Sequence, residues 1–450
     1  MSELITKFKL TSDLKKIFTL SWPVMLGMIL QSLLGTVDMI FISRIGTNEL
    51  AAASLGLTTI NVVFVLSTLV SAGTIALVTR SYGEGNMGKV SMYSSESFLL
   101  SAVIGGALSI ICFAFTKPLV ILLYNPDAVI LELSYNYISI LFLGTIFVFL
   151  NSALRTIMQA LGDTKTPLYV FGASNILNMA LAPLLIFIFK LGIRGAALAA
   201  VLSSIFSFML INYYLIKKLY EGSLKVFLKS MRLEAKSSIK IFKIGGWACI
   251  QQLARPLTGM LMVRLVYEVG GKDASAGFGA GGNVFNYTFI FLVGLSTAIA
   301  IMVGQSLGRG DKEACDNIIK EGMRLAVINM LIFALPYFIF PNLMMKLFTK
   351  DFNVINEGVH YLRIVYLGVI FVIFPTIYGG VFQGAGDTFP PMISSITANV
   401  IMKLPLAYLL ALGFNMGTNG VWASIGLSVV IEAVIIIFYF NKGKWKEKKI

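Results

Sequence analysis

Apolar residues in this chain run on in long stretches, separated by short clusters of Gly, Pro, Asn, Asp and basic residues. A helix that crosses a bilayer needs about 20 mostly apolar residues. Twelve such segments are predicted, at roughly 17–43, 50–79, 90–116, 130–154, 165–189, 195–216, 240–268, 274–304, 316–342, 356–383, 389–413 and 419–440. The stretches are too long and too uniformly apolar for barrel strands, which alternate over about ten residues each. The first follows a polar start carrying Lys7, Lys9, Lys15 and Lys16. It is too long for a signal-peptide core and precedes no small-residue cleavage pattern, so it reads as helix one.

Composition sharpens this. Of 450 residues, 57% are hydrophobic and 13% charged, with mean hydropathy +0.83. Soluble domains are about a quarter charged, so a soluble protein is excluded. The net charge of +14 would suit nucleic acid, but its placement does not. Lys and Arg gather at the N-terminus, between Lys217 and Lys243, and in the C-terminal KGKWKEKK, while the alternate loops hold few. With both termini cytoplasmic this is the positive-inside pattern of a multi-pass protein of the cell membrane, in contact with anionic lipid heads. No nucleic-acid partner is expected. Cys112, Cys249 and Cys315 show no paired spacing and read as core fillers. With one histidine, His360, and neither an HExxH motif nor a P-loop, no metal, cofactor or enzymatic activity is predicted.

An internal repeat is more informative. QALGDTKTP at 159–167 returns as QGAGDTFPP at 383–391, and LVTRSYGEGNMGK at 77–89 as MVGQSLGRGDKEA at 302–314. GIRGAALAAVLSS (192–204) resembles GTNGVWASIGLSV (417–429). Each half then holds six helices, and an even number gives both halves the same orientation. Parallel repeats of this kind are related by an axis along the membrane normal and put a binding cavity at their interface. The predicted fold is an all-α membrane protein of twelve transmembrane helices in two six-helix lobes, 1–216 and 240–450, joined by a basic cytoplasmic linker at 217–239. The Gly-Asp-Thr turns read as tight reversals in which Asp163 or Asp387 caps the next helix.

Two motifs tempt. GFGAGG (277–282) spells a dinucleotide fingerprint but lies inside a predicted span with no strand before it. GAGD (384–387) spells an intramembrane aspartyl protease motif, but its repeat copy ALGD marks a helix boundary and suits a turn.

Ionisable residues at membrane depth are costly and default to functional roles. Asp38, in SLLGTVDMIFISRIG, has no basic neighbour within a helical turn. A lone carboxyl group there can carry a proton, or hold a monovalent cation among oxygen neighbours. Candidate neighbours are Gln31, seven residues away on the same helix face, and Asn151, Asn175 and Asn178. The repeat carries Asp38 to Met262 and Gln31 to Arg255, so ion coupling is expected in the first half. In the second half the clearest charges are Arg255, Lys403 and Glu432. Lys403 and Glu432, on neighbouring helices and opposite in sign, are candidates for an ion pair or for substrate contact. Arg264 and Glu268 lie nearer a helix end and are expected to snorkel.

WPVMLGMILQSLLGTVDMIFISRIG, LVTRSYGEGN, NSALRTIMQALGDTKTP, the basic linker and IMVGQSLGRGD together resemble the multidrug and toxic compound extrusion (MATE) transporters. The likeness is closest to their bacterial and archaeal, DinF-like branch and covers essentially the whole chain. It implies export of drug-like organic compounds, expected to be cationic, in exchange for H⁺ or Na⁺ by alternating access of two lobes. Asp38 falls on the family's helix-one cation-binding aspartate and Pro23 on the proline near that helix's bend. Gln31 and Asn151 match polar positions of the N-lobe cavity. The helix-five pattern N-x-x-x-D-P reads Asn178-Met179-Ala180-Leu181-Ala182-Pro183, so Asn178 is present and the second aspartate is Ala182. A helix-six threonine aligns with Ala200, and a helix-seven glutamate of another branch aligns near Arg255. With ligands missing, H⁺ is favoured over Na⁺. Arg255 and Lys403, if they line the cavity, favour an anionic or zwitterionic compound over a cation. The rival expectation is a flippase or exporter of lipid-linked or polysaccharide-type substrates, a class of related fold with a strongly basic cavity. A monomer is expected.

Overall fold

The computed structural model describes residues 12–223 and 234–450, almost wholly as helix and with no strand among them. Lys7, Lys9 and the middle of the expected linker lie outside the described residues. Helices α1 (Ser12–Ser43), α2 (Thr47–Gly83) and α3 (Met87–Ala114) open the chain. A short helix, Thr116–Tyr124, follows, and the sequence pattern gave no sign of it. The fourth span, α4, is a pair, Ala128–Leu143 and Thr145–Ala160, bent by 43° at Gly144. Then come α5 (Lys165–Ile188) and α6 (Ile193–Leu219). The 74-residue Ala235–Gly308 breaks at Gly271, whose φ of 65° suits a residue without Cβ, into α7 (235–270) and α8 (272–308). Helices α9 (Lys312–Ile339), α10 (Phe352–Ala385), α11 (Phe389–Gly413) and α12 (Gly417–Asn441) follow, which makes twelve spans among the described residues when the bent pair is taken as one and Ala235–Gly308 as two.

Several of these helices, α1, α2, α3 and α12 among them, have no pronounced polar face, as a bilayer allows to a helix whose backbone bonds are satisfied internally. Helix α9 instead opens on the polar segment Lys312–Arg324. Ile110, Leu122, Ile176 and Met209 all project outward and are more than half exposed. Apolar surface on that scale is what lipid covers.

Two compact units divide the chain: Leu26–Gly246, and 12–25 together with 247–450. The division falls inside α1 just past Pro23, and inside α7, so the start of helix one groups with the second half. In the first unit Tyr137, Ile138, Phe142 and Phe149 of α4 form the core with Ala182 and Ala197. In the second, Trp422 of α12 is wholly buried, stacked on Phe278 and edge-on to Tyr361.

The repeat recurs in the turns. Gly162 (φ 82°) reverses the chain before α5, and the Asp163 carboxylate accepts the Thr166 amide at 2.9 Å, capping that helix. Gly386 (φ 74°) does the same before α11, but Asp387 makes no such cap. The residue three positions on is Pro390, which has no N–H to give, and Asp387 instead accepts Lys448 Nζ at 2.9 Å. That placement, in a turn and ion-paired, also suits no protease. At the starts of α6 and α12 the repeat-related Gly195 and Gly420 press on neighbouring backbone. A Cβ would meet Leu185 at 2.8 Å or the Leu410–Ala411 link at 2.6 Å, within the π-helical turns that end α5 and α11.

Candidate functional site

Both units carry polar side chains on apolar helices, and in the second unit they are bonded together. In the first unit Asp38 sits on α1, half-buried, with no hydrogen bond or ion pair to any described residue. Its carboxyl group lies within electrostatic reach of Tyr137, a buried α4 side chain that the sequence reading did not single out. One tyrosine in an apolar stretch carries no pattern. What places it is Gly56 on α2, where a Cβ would come 2.5 Å from the Tyr137 ring.

The expected amides are all in this unit, each engaged differently. Asn175 Nδ2 donates to the Leu30 carbonyl of α1 at 3.3 Å, tying α5 to the helix that carries Asp38. Asn151 Nδ2 donates to the Ser204 carbonyl of α6 at 2.9 Å, and its Oδ1 is buried without a partner. Asn178 is 3% exposed and its Oδ1 also has no partner. Gln31 is exposed. None of these is bonded to Asp38 or to another of the set. A buried acceptor left unpaired costs about 1–3 kcal/mol. Both oxygens, like the Asp38 carboxyl group, are acceptors with no described partner in this unit. Ala182, 1% exposed and one helical turn past Asn178, adds no oxygen. Pro23 is buried in α1, which runs unbroken through it; the ring removes the bond the Thr19 carbonyl would otherwise accept.

The second unit holds a connected network. Arg255 Nη2 on α7 donates to both Glu432 oxygens on α12, at 3.3 and 3.2 Å. Asn399 Nδ2 on α11 donates to Glu432 Oε2 at 3.2 Å, and Lys403 Nζ donates to Asn399 Oδ1 at 2.6 Å. A direct Lys403–Glu432 ion pair, one of the two readings the sequence leaves open, is therefore not made. Arg255 takes the carboxylate, and Lys403 reaches it only through Asn399. Asn399 was missed, although the repeat shift that pairs Asp163 with Asp387 also pairs Asn175 with Asn399. It stands in a π-helical turn, Thr397–Met402, just ahead of Pro405, whose missing N–H loosens the α-helical ladder there. Arg264 and Glu268 form an exposed pair one turn apart at 2.9 Å, as helix-end charges do. No group of three metal-ligating side chains occurs among the described residues.

Two repeat-related sets of apolar spans, each with ionisable and amide side chains set among them, are the frame of a multi-pass membrane transporter. The MatE family model matches residues 23–184 and again 248–409, once in each half, and the chain belongs to that family. Over 97% of its length it is 26% identical to a probable multidrug resistance protein, NorM, of Thermotoga maritima, covering 94% of that protein. It is also 26% identical to a FAD transporter of Shewanella oneidensis, over 86% of this chain and 87% of that one. A MOP superfamily transporter from Pyrococcus furiosus has the same fold, with a TM-score of 0.88, 21% identity and 97% of each chain covered.

Proposed function

We propose that this protein is a secondary active efflux antiporter that exports drug-like organic compounds in exchange for H⁺, with Asp38 as the coupling acid. The observation that carries this is the isolation of Asp38: a half-buried carboxyl group on an apolar helix with no described partner. A paired acid would be held in one state, whereas an unpaired one within electrostatic reach of Tyr137 is open to loading and release. H⁺ is preferred to Na⁺ because Ala182 and Ala200 supply no side-chain oxygen. Protonation of Asp38 would rearrange α1 about Pro23 and with it the N-lobe cavity in which Gln31, Asn151 and Asn175 are expected. The protein would act as a monomer in the cell membrane, among its lipids, with both termini cytoplasmic.

The test is efflux of a fluorescent drug from proteoliposomes under a pH gradient and, separately, a Na⁺ gradient. Export should follow the pH gradient and vanish in Asp38→Asn. Export by Asp38→Asn at the wild-type rate sinks the reading.

A second reading is supported by the Arg255–Lys403 charge: export of lipid-linked or polysaccharide-type substrates bearing phosphate or carboxylate. Relatives are named for multidrug resistance and for FAD, so the family's substrates extend beyond simple cations. Undecaprenyl-linked sugar movement in the same proteoliposomes, with no drug efflux, would favour it.

A further inference from the structure

The polar network of the second unit does not close on itself. Glu432 is 1% exposed and both of its oxygens are engaged, by Arg255 and by Asn399. Its one negative charge is matched by one guanidinium. Lys403 adds a second positive charge, and its one hydrogen bond among the described residues is to the neutral Asn399 oxygen. No ion pair joins Lys403 to any described acid, although Glu432 as well as Arg255 stands within its electrostatic reach, and Glu432 carries a single charge for both cations. The cluster therefore holds two cations and one anion midway along spans α7, α11 and α12. An uncompensated charge at that depth is costly, and intramembrane charges face a water-filled path or a ligand for this reason.

Arg255 reaches Glu432 with Nη2 alone, and its side chain is 45% exposed, so the rest of the planar guanidinium fork remains open. Planar forks of this kind match carboxylate and phosphate oxygens. Lys403 contributes a point charge on the same cluster. The π-helical turn from Thr397 to Met402 holds Asn399 as the hinge between the two cations, where a regular turn would shift its amide. The first unit has no such arrangement, since the repeat places Gln31 opposite Arg255 and Met179 opposite Lys403.

We propose that Arg255 and Lys403, positioned by Glu432 and Asn399, form an anion-binding subsite that takes the carboxylate or phosphate of the exported compound. It rests on the transport reading above for its purpose, but not for its chemistry. Substrates that fill it are zwitterionic or anionic compounds. An all-cationic drug leaves the subsite uncompensated.

The experiment uses the purified full-length protein and two matched probes: a rhodamine with a free carboxylate and the methyl ester of the same dye. Equilibrium binding is read by fluorescence anisotropy. The wild type should bind the free acid about tenfold or more tightly than the ester, as expected of one charge-assisted contact. Lys403→Met should abolish that preference, and Lys403→Arg, which keeps the charge, should retain it. Equal binding of the two dyes by wild type, or a preference that survives in Lys403→Met protein eluting as a monodisperse peak, overturns the proposal. Repeating the comparison in nanodiscs with and without phosphatidylglycerol separates the source of the anion. A preference erased only by the anionic lipid assigns the subsite to a phospholipid headgroup, and one that persists assigns it to the soluble compound. Because this is binding without a gradient, Asp38→Asn should lose coupled efflux yet keep the preference. Intact preference with no pH-driven export by wild type would refute the antiport reading and leave the subsite standing.

Discussion

The two units carry their polar groups in opposite ways. In the first, Asp38 and the Asn178 oxygen stand without described partners. In the second, Arg255, Glu432, Asn399 and Lys403 are bonded in one chain. The backbone plan is shared, down to the glycine that lets α6 or α12 press on the end of its neighbour. Asn175 and Asn399 occupy the same repeat position, yet one ties a helix by its backbone and the other joins two opposite charges. Duplicated helices can thus be specialised by a few side chains: one half keeps an acid without a described partner, the other a bonded set of charges.

The contrast predicts unequal costs. Removing one partner of a buried ion pair costs about 3–5 kcal/mol. Arg255 is 45% exposed, so solvent absorbs part of this, and about 2–3 kcal/mol is expected for Glu432→Ala. That is a fall of roughly 5–10 °C in the melting temperature of a unit this size. Asp38→Ala removes no described bond and should stay within about 0.5 kcal/mol of wild type while losing coupled export. Thermal unfolding in one detergent checks both, and equal losses would erase the distinction between the units.

The paired asparagines sharpen it. Asn399→Ala deletes bonds to a carboxylate and to an ammonium, and about 2 kcal/mol should follow, since hydrogen bonds to charged groups are the stronger kind. Asn175→Ala deletes one 3.3 Å bond to a neutral carbonyl and should cost about 1 kcal/mol or less. Comparable melting shifts would mean that the Asn399 network contributes no more than an ordinary helix contact.

Much of this was legible in the sequence because hydropathy and repeats are local signals. The break between α7 and α8 falls at Gly271, inside the gap between two predicted spans. Asp38 stood out because a charge in an apolar run needs no partner to be noticed. What stayed hidden was non-local. Arg255 and Glu432 lie 177 positions apart, and only packing tells which of two cations takes the acid. The bend at Gly144 and the π-helical turn at Asn399 leave the apolar pattern intact, so hydropathy does not register them. Tyr137 comes within reach of Asp38 through packing, its ring lying where a Cβ on Gly56 would intrude.

The smallest effect lies in the turns, where the repeat has diverged by one residue. Asp163 is a true cap: it holds the Thr166 amide and hydroxyl and the Lys218 ammonium, each at 2.9 Å. Burial by itself raises this carboxyl, but the Thr166 and Lys218 contacts outweigh it and hold the group below the ordinary aspartate range. Stability from such a depressed group is complete above about pH 4, the unfolded value, and is lost as pH falls through the folded one. Asp163→Ala should therefore cost about 1 kcal/mol, the usual loss of a cap, at a constant level from neutral pH down to about 5. The gap to wild type should then close under stronger acid. Asp387, facing Pro390 with no amide to cap, keeps only its pair with Lys448, half open to solvent. Asp387→Ala should cost no more than about 0.5 kcal/mol. Melting curves of the two variants across pH decide it: if Asp387→Ala is the costlier, the cap is not what distinguishes these turns.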